Sequence, residues 1–545
     1  MRRSRLGAGF GGRRMRTGLL ALALIAGAPA AAQDIVIREL PSTVAAFQEK
    51  SIDAQQAMMA SGQLSSAQIT ELYIERIKIL DQAGPNLRSV IAISPNAIEQ
   101  ARASDARRKA GKLKGPLDGI PVLIKDNIDT RELPTTAGSL ALADNWTRRD
   151  APMVALLRAQ GAVILGKTNL SEWANIRSNN SMSGWSAVGG LVRNPYALDR
   201  SACGSSSGSG AAVAASLAAV AVGTETDGSV VCPAAMNGLV GLKPTLGLVS
   251  RTHVVPISHS QDTPGPMARS VKDAAILFSA IVGSDPRDAA TAEADRYRKD
   301  FAAGLSADAL KGMRVGYWKP EMDGDLAARF DRALDELRAA GAVLVEVKMP
   351  ELKGLGDAEG EVLYTELKDD LAAYLATTSA KVRTLADVIA FNEANKAAEM
   401  PFFGQESFLK AEKTRGTGDP EYLGARAKSL RLAGVEGIDA MLKAGNVQLL
   451  VTPTYGTPWL SDPAHGDQFT GPSASQLPAV SGYPHLTVPM GLVDGLPAGL
   501  SFIGTAYSDG LLLHAGYAYE QATKARVAPR YLPTVAVDLG SQRPR

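Results

Sequence analysis

Between Cys203 and Thr245 the chain sets two glycine–serine loops around an alanine-dense run, and no other stretch narrows the possible folds as much. The first loop, Cys203-Gly204-Ser205-Ser206-Ser207-Gly208-Ser209-Gly210, carries almost no side-chain bulk. Ala211 to Ala221 follows without proline or glycine, which predicts a helix able to pack very close to its neighbours in a core. Val220-Ala221-Val222-Gly223 then leads into the second loop, Thr224-Glu225-Thr226-Asp227-Gly228-Ser229, and Gly241-Leu242-Lys243-Pro244-Thr245 closes the block. One glycine–serine loop alone reads as a turn or linker. Two of them flanking a run built for a crowded interior point elsewhere, to bare backbone whose N–H groups can converge where another molecule approaches.

The surrounding pattern alternates helix and strand. Residues 64–80 read as an amphipathic helix opened by a Ser65/Gln68 capping box, with Ile69, Leu72, Tyr73, Ile77 and Leu80 on one face. Ile120 to Ile124 reads as a buried strand ending in Lys125-Asp126-Asn127. A helix over about 151–160, a stop at Gly161 and a strand Val163 to Leu165 before Gly166-Lys167-Thr168-Asn169 complete an αβ unit. From about 286 to 445 the texture turns helical, as in Leu326 to Ala340 and Ala425 to Ala444, with nothing chemically distinctive. A strand returns at Val447 to Val451, Leu486 to Met490 and Leu500 to Ile503 read as a hairpin around Asp494-Gly495, and a last helix spans about 509–523. With no internal repeat and no low-complexity linker, these elements predict one large α/β domain, a mixed central sheet covered by helices on both sides, over residues 33–545. Its parts are a core at about 115–280, a helical cleft-shaping region at about 286–445 and C-terminal sheet strands at about 446–525.

The N-terminus has a different character. Six arginines precede the first acidic residue, Asp34; Thr17 to Gly27 is apolar, and Ala30-Ala31-Ala32 is a small-residue run. That order reads as a secretory signal over residues 1–32, with a periplasmic or secreted product, and Arg13-Arg14 raises the twin-arginine route. The apolar run is shorter than the ~20 residues of a spanning helix. Loss of the six arginines takes the formal charge from +2 to −4. A mildly acidic product gives no electrostatic case for nucleic acid or for stable membrane association, and the expected state is a monomer. Cys203 and Cys232 are too few for a disulfide framework. An oxidising compartment would permit one bridge beside the glycine–serine loops, but the plainer reading is two small buried packing residues.

Metal chemistry finds little support. His253, His259, His465, His485 and His514 are scattered and match no ligand spacing, so no metal and no cofactor is expected. Attack on a carbonyl without a metal needs a nucleophile, a base and donors for the oxyanion. Serines in the two bare loops supply the first, and Lys125, Lys167 and Lys243, each following an apolar run, are equal candidates for the second. A rival pattern is present: Gly204 to Gly208 satisfies G-x-S-x-G, which would make Ser206 the nucleophile with His514 as a possible base.

The long motifs resemble the amidase-signature family. The similarity runs through Gly119 to Asn127 (GIPVLIKDN), Gly166 to Glu172 (GKTNLSE), Gly204 to Ser209 (GSSSGS), Gly223 to Ser229 (GTETDGS), Gly238 to Thr245 (GLVGLKPT), Asp262 to Arg269 (DTPGPMAR) and Leu496 to Gly504 (LPAGLSFIG). It covers roughly residues 40–525. Asn169 to Ala174, Ser181 to Ala187 and Thr224 to Ala234 are most similar to the peptide-amidase branch. The resemblance implies hydrolysis of carboxamides, with the C-terminal amide of peptides as substrate. It makes Ser229 the acylated nucleophile, Ser205 the bridging serine after a cis Gly204-Ser205 peptide, and Lys125 the base. Backbone N–H groups of Thr226, Asp227, Gly228 and Ser229 would form the oxyanion hole. Ser206, Asp227, Asn169 and Glu172 become supporting residues, with Asp262 and Arg269 as an ion pair near the site. The alternatives are a broad-specificity amidase for small aliphatic or aromatic amides, a non-catalytic exported peptide-binding protein, and a component of a tRNA-dependent amidotransferase.

Overall fold

Two short apolar strands that meet side by side organise the architecture. In the computed structural model, which describes residue 45 and residues 47–535, β2 (Pro121–Lys125) and β6 (Val220–Glu225) are buried at every position. Such unbroken apolar strands belong in the middle of a sheet covered on both faces. They pair in parallel, with Val122 opposite Val220 and Ile124 opposite Val222.

Around them lie β1 (Val90–Ile93), β3 (Val163–Thr168), β7 (Val240–Lys243), β8 (Thr263–Ala268), β9 (Arg314–Tyr317), β10 (Val343–Glu346), β11 (Leu449–Pro453), β12 (His485–Val493) and β13 (Leu496–Ile503). A separate two-stranded ribbon joins β4 (Trp185–Ser186) to β5 (Gly190–Leu191). The main sheet has eleven strands in the order β1-β3-β2-β6-β8-β7-β12-β13-β11-β9-β10. It is mixed: β3, β2 and β6 run parallel, as do β11, β9 and β10, while the β8-β7-β12-β13 centre is antiparallel. Helices flank the sheet, so the expected α/β architecture stands.

Several elements differ from expectation in informative ways. The helix predicted from Ala211 begins earlier, at Ser207, and ends at Ala214. Ser216 takes a positive φ of 54°, and the rest of the alanine run turns into β6. Arginines from elsewhere satisfy the carbonyls released there. Arg76 donates to Ala215 and Ser216, and Arg269 to Val213 and Ala218. Tertiary partners thus override alanine's helical preference. The predicted capping box is present, with Ser65 and Gln68 exchanging hydrogen bonds at the head of the helix Ser66–Arg76. The C-terminal hairpin turns on Asp494 and Gly495, both at positive φ as a tight two-residue turn demands. The mid-chain region is not purely helical, for β9 and β10 within it extend one edge of the sheet. No helix among the described residues is long and apolar enough to cross a membrane. The N-terminal leader at 1–32 lies outside the described residues.

Candidate active site

The carboxyl ends of β2 and β6 open on the same side, and both deliver polar residues there. Lys125 is the last residue of β2 and is fully buried. Its Nζ lies 2.8 Å from Ser205 Oγ, 2.9 Å from Thr224 Oγ1 and 3.2 Å from the Thr224 carbonyl. Among the described residues no carboxylate pairs with it. Burial without a counter-ion disfavours the ammonium form, and the Lys125 pKa falls to about 7 despite the raising influence of Asp262 and Glu225. This lysine is therefore able to take up and release a proton near neutrality.

The other two lysines are differently placed. Lys167 forms a buried ion pair with Asp126 at 2.7 Å, and Lys243 donates to the Pro244 carbonyl at 2.9 Å while facing Glu225 and Asp509. Neither is hydrogen-bonded to a serine. Among the described residues Lys125 is thus the one of the three hydrogen-bonded to a serine of the bare loops.

Ser205 follows a cis Gly204-Ser205 peptide on the loop before the helix Ser207–Ala214. Ser229 follows β6 at the head of the short helix Val231–Met236. The two loops are laced together: Ser206 N donates to the Ser229 carbonyl at 3.1 Å, and Ser206 Oγ exchanges hydrogen bonds with Thr224. Ser206 is fully buried and its hydroxyl is committed. His514, the base of the G-x-S-x-G reading, lies beside Gly304 and makes no hydrogen bond to Ser206 among the described residues. The Ser229 hydroxyl itself carries no hydrogen bond among the described groups, and such contacts often close only with substrate in place.

The loop beyond β6 leaves a row of donors open. Glu225 Oε2 accepts from Val230 N at 2.8 Å and Val231 N at 2.9 Å, turning the chain into the following helix. Between these anchors, the N–H groups of Thr226, Asp227, Gly228 and Ser229 have no partner within the described chain. Gly228 sits at φ 79°, and a Cβ there would collide with the Tyr455 hydroxyl, so only glycine fits. Free amides of this kind are suited to bind a developing oxyanion.

Supporting residues fall into two groups. Asn169 bridges the Arg88 and Gly190 carbonyls and accepts from Leu170 N and the Ser186 hydroxyl, while its own carbonyl takes the Gly208 N–H. Glu172 pairs with Arg177 at 3.1 Å and accepts from Ala187 N, with burial driving its pKa upward. Asp262 lies closer to the chemistry: it accepts from Thr226 Oγ1 at 2.6 Å and from Ile257 N and Ser258 N, and burial raises it to about 6. The expected Asp262–Arg269 ion pair is absent. Arg269 turns instead to the carbonyls of Val213 and Ala218, which the end of the helix Ser207–Ala214 leaves in need of donors, and to that of Lys50.

The cysteines also depart from expectation. Cys203 and Cys232 are joined in a disulfide, not packed as free thiols, since the loop before Ser205 and the helix after Ser229 lie side by side. Among the described residues no histidine is hydrogen-bonded to Ser205, Ser206 or Ser229; the buried His485 instead contacts the Ser501 hydroxyl at 2.6 Å. His259 joins Glu366 and Asp370 in the one His/acid group with ligand atoms within 4.8 Å among the described residues. That group is closed on itself, because Glu366 already accepts from Ser258, Ser260 and Tyr422, and His259 Nδ1 lies 2.9 Å from Asp370.

Some residues at the site had no role assigned from sequence: Thr224 and Asn127 lie inside the quoted motifs, and the aromatics after β11 outside them. Thr224 holds Lys125 by two atoms, and Asn127 in turn holds the Thr224 hydroxyl at 2.9 Å. Tyr455, Trp459 and Phe469 stack edge to face, and the Tyr455 hydroxyl stands over Gly228. These aromatics come from the segment after β11, some 225 residues beyond Ser229 in the chain.

Comparison with known proteins is consistent with this geometry. The Amidase family model matches residues 68–513. A probable amidase of Arabidopsis thaliana is 39% identical over 504 residues, spanning 90% of this chain and 93% of the relative. The solved structure of an amidase family protein from Bacillus anthracis is 36% identical, with a TM-score of 0.82 over 91% of this chain and 96% of that one. The solved native peptide amidase of Stenotrophomonas maltophilia is 50% identical, with a TM-score of 0.85 over 89% of this chain and 99% of that one.

Proposed function

The chain belongs to the amidase family and is an amide-hydrolysing enzyme, and on that premise we propose that it is exported and cuts the C-terminal carboxamide of peptides, giving a free carboxylate and ammonia. The observation that carries the mechanism is the 2.8 Å contact between a buried, carboxylate-free lysine and a serine in the neighbouring loop. Neutral Lys125 accepts the Ser205 proton while Ser205 takes that of Ser229, and Ser229 Oγ attacks the carbonyl carbon. The oxyanion is held by the N–H groups of residues 226–229. The relay then runs backwards: Ser205 protonates the leaving nitrogen and Lys125 restores the Ser205 proton. Ammonia departs and an ester remains on Ser229. Water enters along the same path, giving its proton to the relay, and its attack frees the carboxylate and returns the proton to Ser229.

Peptide amides as substrate are supported by the 50% identity to the Stenotrophomonas enzyme and by the aromatic wall beside Gly228. Export is supported by the N-terminal pattern and by the disulfide, which suits an oxidising compartment. Ammonia release from a C-terminally amidated dipeptide, measured beside acetamide and benzamide and against Ser229→Ala, tests the reading. Preference for the dipeptide amide, abolished in the variant, is expected. Equal or better turnover of the simple amides would favour a broad-specificity amidase. Binding of the amidated peptide without any ammonia release would favour a non-catalytic binder.

A further inference from the structure

One buried acid beside the site has no part in this relay. Glu359 lies on the helix Leu355–Ala376, in the mid-chain region, and its side chain reaches the loop that carries Ser229. Gln261 Nε2 donates to Glu359 Oε1 at 3.0 Å and to the Thr226 carbonyl at 3.2 Å, and Gln476 Nε2 donates to Glu359 Oε2 at 2.9 Å. The Asp227 carboxyl, in the same loop as Thr226, interacts electrostatically with Glu359 and also takes a hydrogen bond from the Ser475 hydroxyl. Asp227 Oδ1 itself is buried and has no hydrogen-bond partner among the described residues. Two carboxylates held together in this way cannot both ionise, and a single shared proton removes the repulsion and supplies the missing donor.

We propose that Glu359 is a positioning residue of the active site: as a neutral carboxylic acid it donates its O–H to the Asp227 carboxylate and so holds the 226–229 loop with its N–H groups converging on the oxyanion position. The mid-chain helix thereby contributes to catalysis without touching substrate. The other charged and titratable groups facing the pair are Lys243 at the end of β7, Glu225 in β6 and the Tyr455 hydroxyl. Burial and the Asp227 charge push Glu359 up to about 8. Above that pH the pair carries two negative charges, and their repulsion drives the loop out of its binding form. Activity that rises as Lys125 becomes neutral, near pH 7, must then fall again on the alkaline side.

The proposal rests on Ser229 as the acylated residue, so labelling of Ser229 by a fluorophosphonate is measured alongside turnover. kcat for a carboxamide is followed from neutral to alkaline pH in the parent, Glu359→Gln and Glu359→Ala. Gln keeps an N–H donor for Asp227 at every pH, with Gln476 turning its amide to accept. Its alkaline limb is expected to disappear, with a smaller loss of kcat at neutral pH than the Ala variant shows. Glu359→Ala, without a donor, should lose about 10- to 100-fold in kcat with little change in KM, the scale of a misplaced reacting group. Superimposable alkaline limbs in the parent and Glu359→Gln, or parental kcat in Glu359→Ala, overturn the proposal while Ser229 still labels. Absence of Ser229 labelling in the parent overturns the acyl-enzyme reading and this proposal with it.

Discussion

At the scale of single residues, Lys125 has two demands on it: it must be buried to lose its proton near pH 7, and it must still reach a hydroxyl. Thr224 reconciles them by offering a hydroxyl and a carbonyl to the amine without a compensating charge. An ammonium at this position has acceptors but no carboxylate partner, so the neutral form predominates above pH 7 and the charged form below. kcat should therefore rise with pH through about 7, in the direction of an amine that works as a base. Lys125→Arg keeps a cation at all pH values. It is expected to leave the circular dichroism spectrum unchanged and to remove ammonia release; turnover at the parental rate would contradict the relay. Asp262 acts one step further out, fixing Thr226 by its hydroxyl; ionised above about pH 6, it raises Lys125, but by less than burial lowers it.

Elements bring these residues together by close approach. The helix Ser207–Ala214 lies against its surroundings with no room for side chains: a Cβ on Gly208 would collide with the carbonyl oxygens of Ser89 and Asn169. The same intimacy sets Cys203 beside Cys232, across 29 residues of sequence. A cross-link over such a loop stabilises chiefly by restricting the unfolded chain, and the Cys203→Ser/Cys232→Ser double variant should lose about 2–4 kcal/mol in denaturant unfolding. Because the bridge ties the loop of Ser205 to the helix after Ser229, kcat of that variant should fall as well. Parental stability after removal of both thiols would show that the two loops are held by the Ser206 hydrogen bonds alone.

At the scale of the whole molecule, burial outweighs pairing for many acids, and this shapes the response to pH. Asp81, Asp262 and Asp273 are each raised to about 6 by desolvation. An unfolded Asp titrates near 3.9. Between about pH 4 and 6 the folded chain therefore binds more protons than the unfolded one, and stability falls as pH rises through that window. Asp285, lowered to about 2 by Ser, Thr and Arg partners, works in the opposite direction, but its contribution is lost only at more acidic pH. Thermal unfolding should give a higher midpoint at pH 5 than at pH 7. A midpoint that climbs across this interval would mean that groups of the opposite sign govern the balance, chief among them buried His485, whose pKa burial lowers to about 3.

Local sequence was enough for the alternation of strands and helices, the Ser65 cap, the hairpin at Asp494-Gly495 and the two bare loops, because each depends on neighbours a few residues apart. The long motifs carried the family, and with it Ser229, Ser205 and Lys125 as candidates. What only the tertiary structure decided depends on groups far apart in the chain. The partners that separate Lys125 from Lys167 and Lys243, the bridging of Cys203 to Cys232, and Arg269 turning from Asp262 to orphaned carbonyls are all of this kind. So is Glu359 opposite Asp227. A pKa, an ion pair or a disulfide belongs to the space around a side chain, and that space is filled by residues whose distance in sequence gives no hint of their distance in the fold.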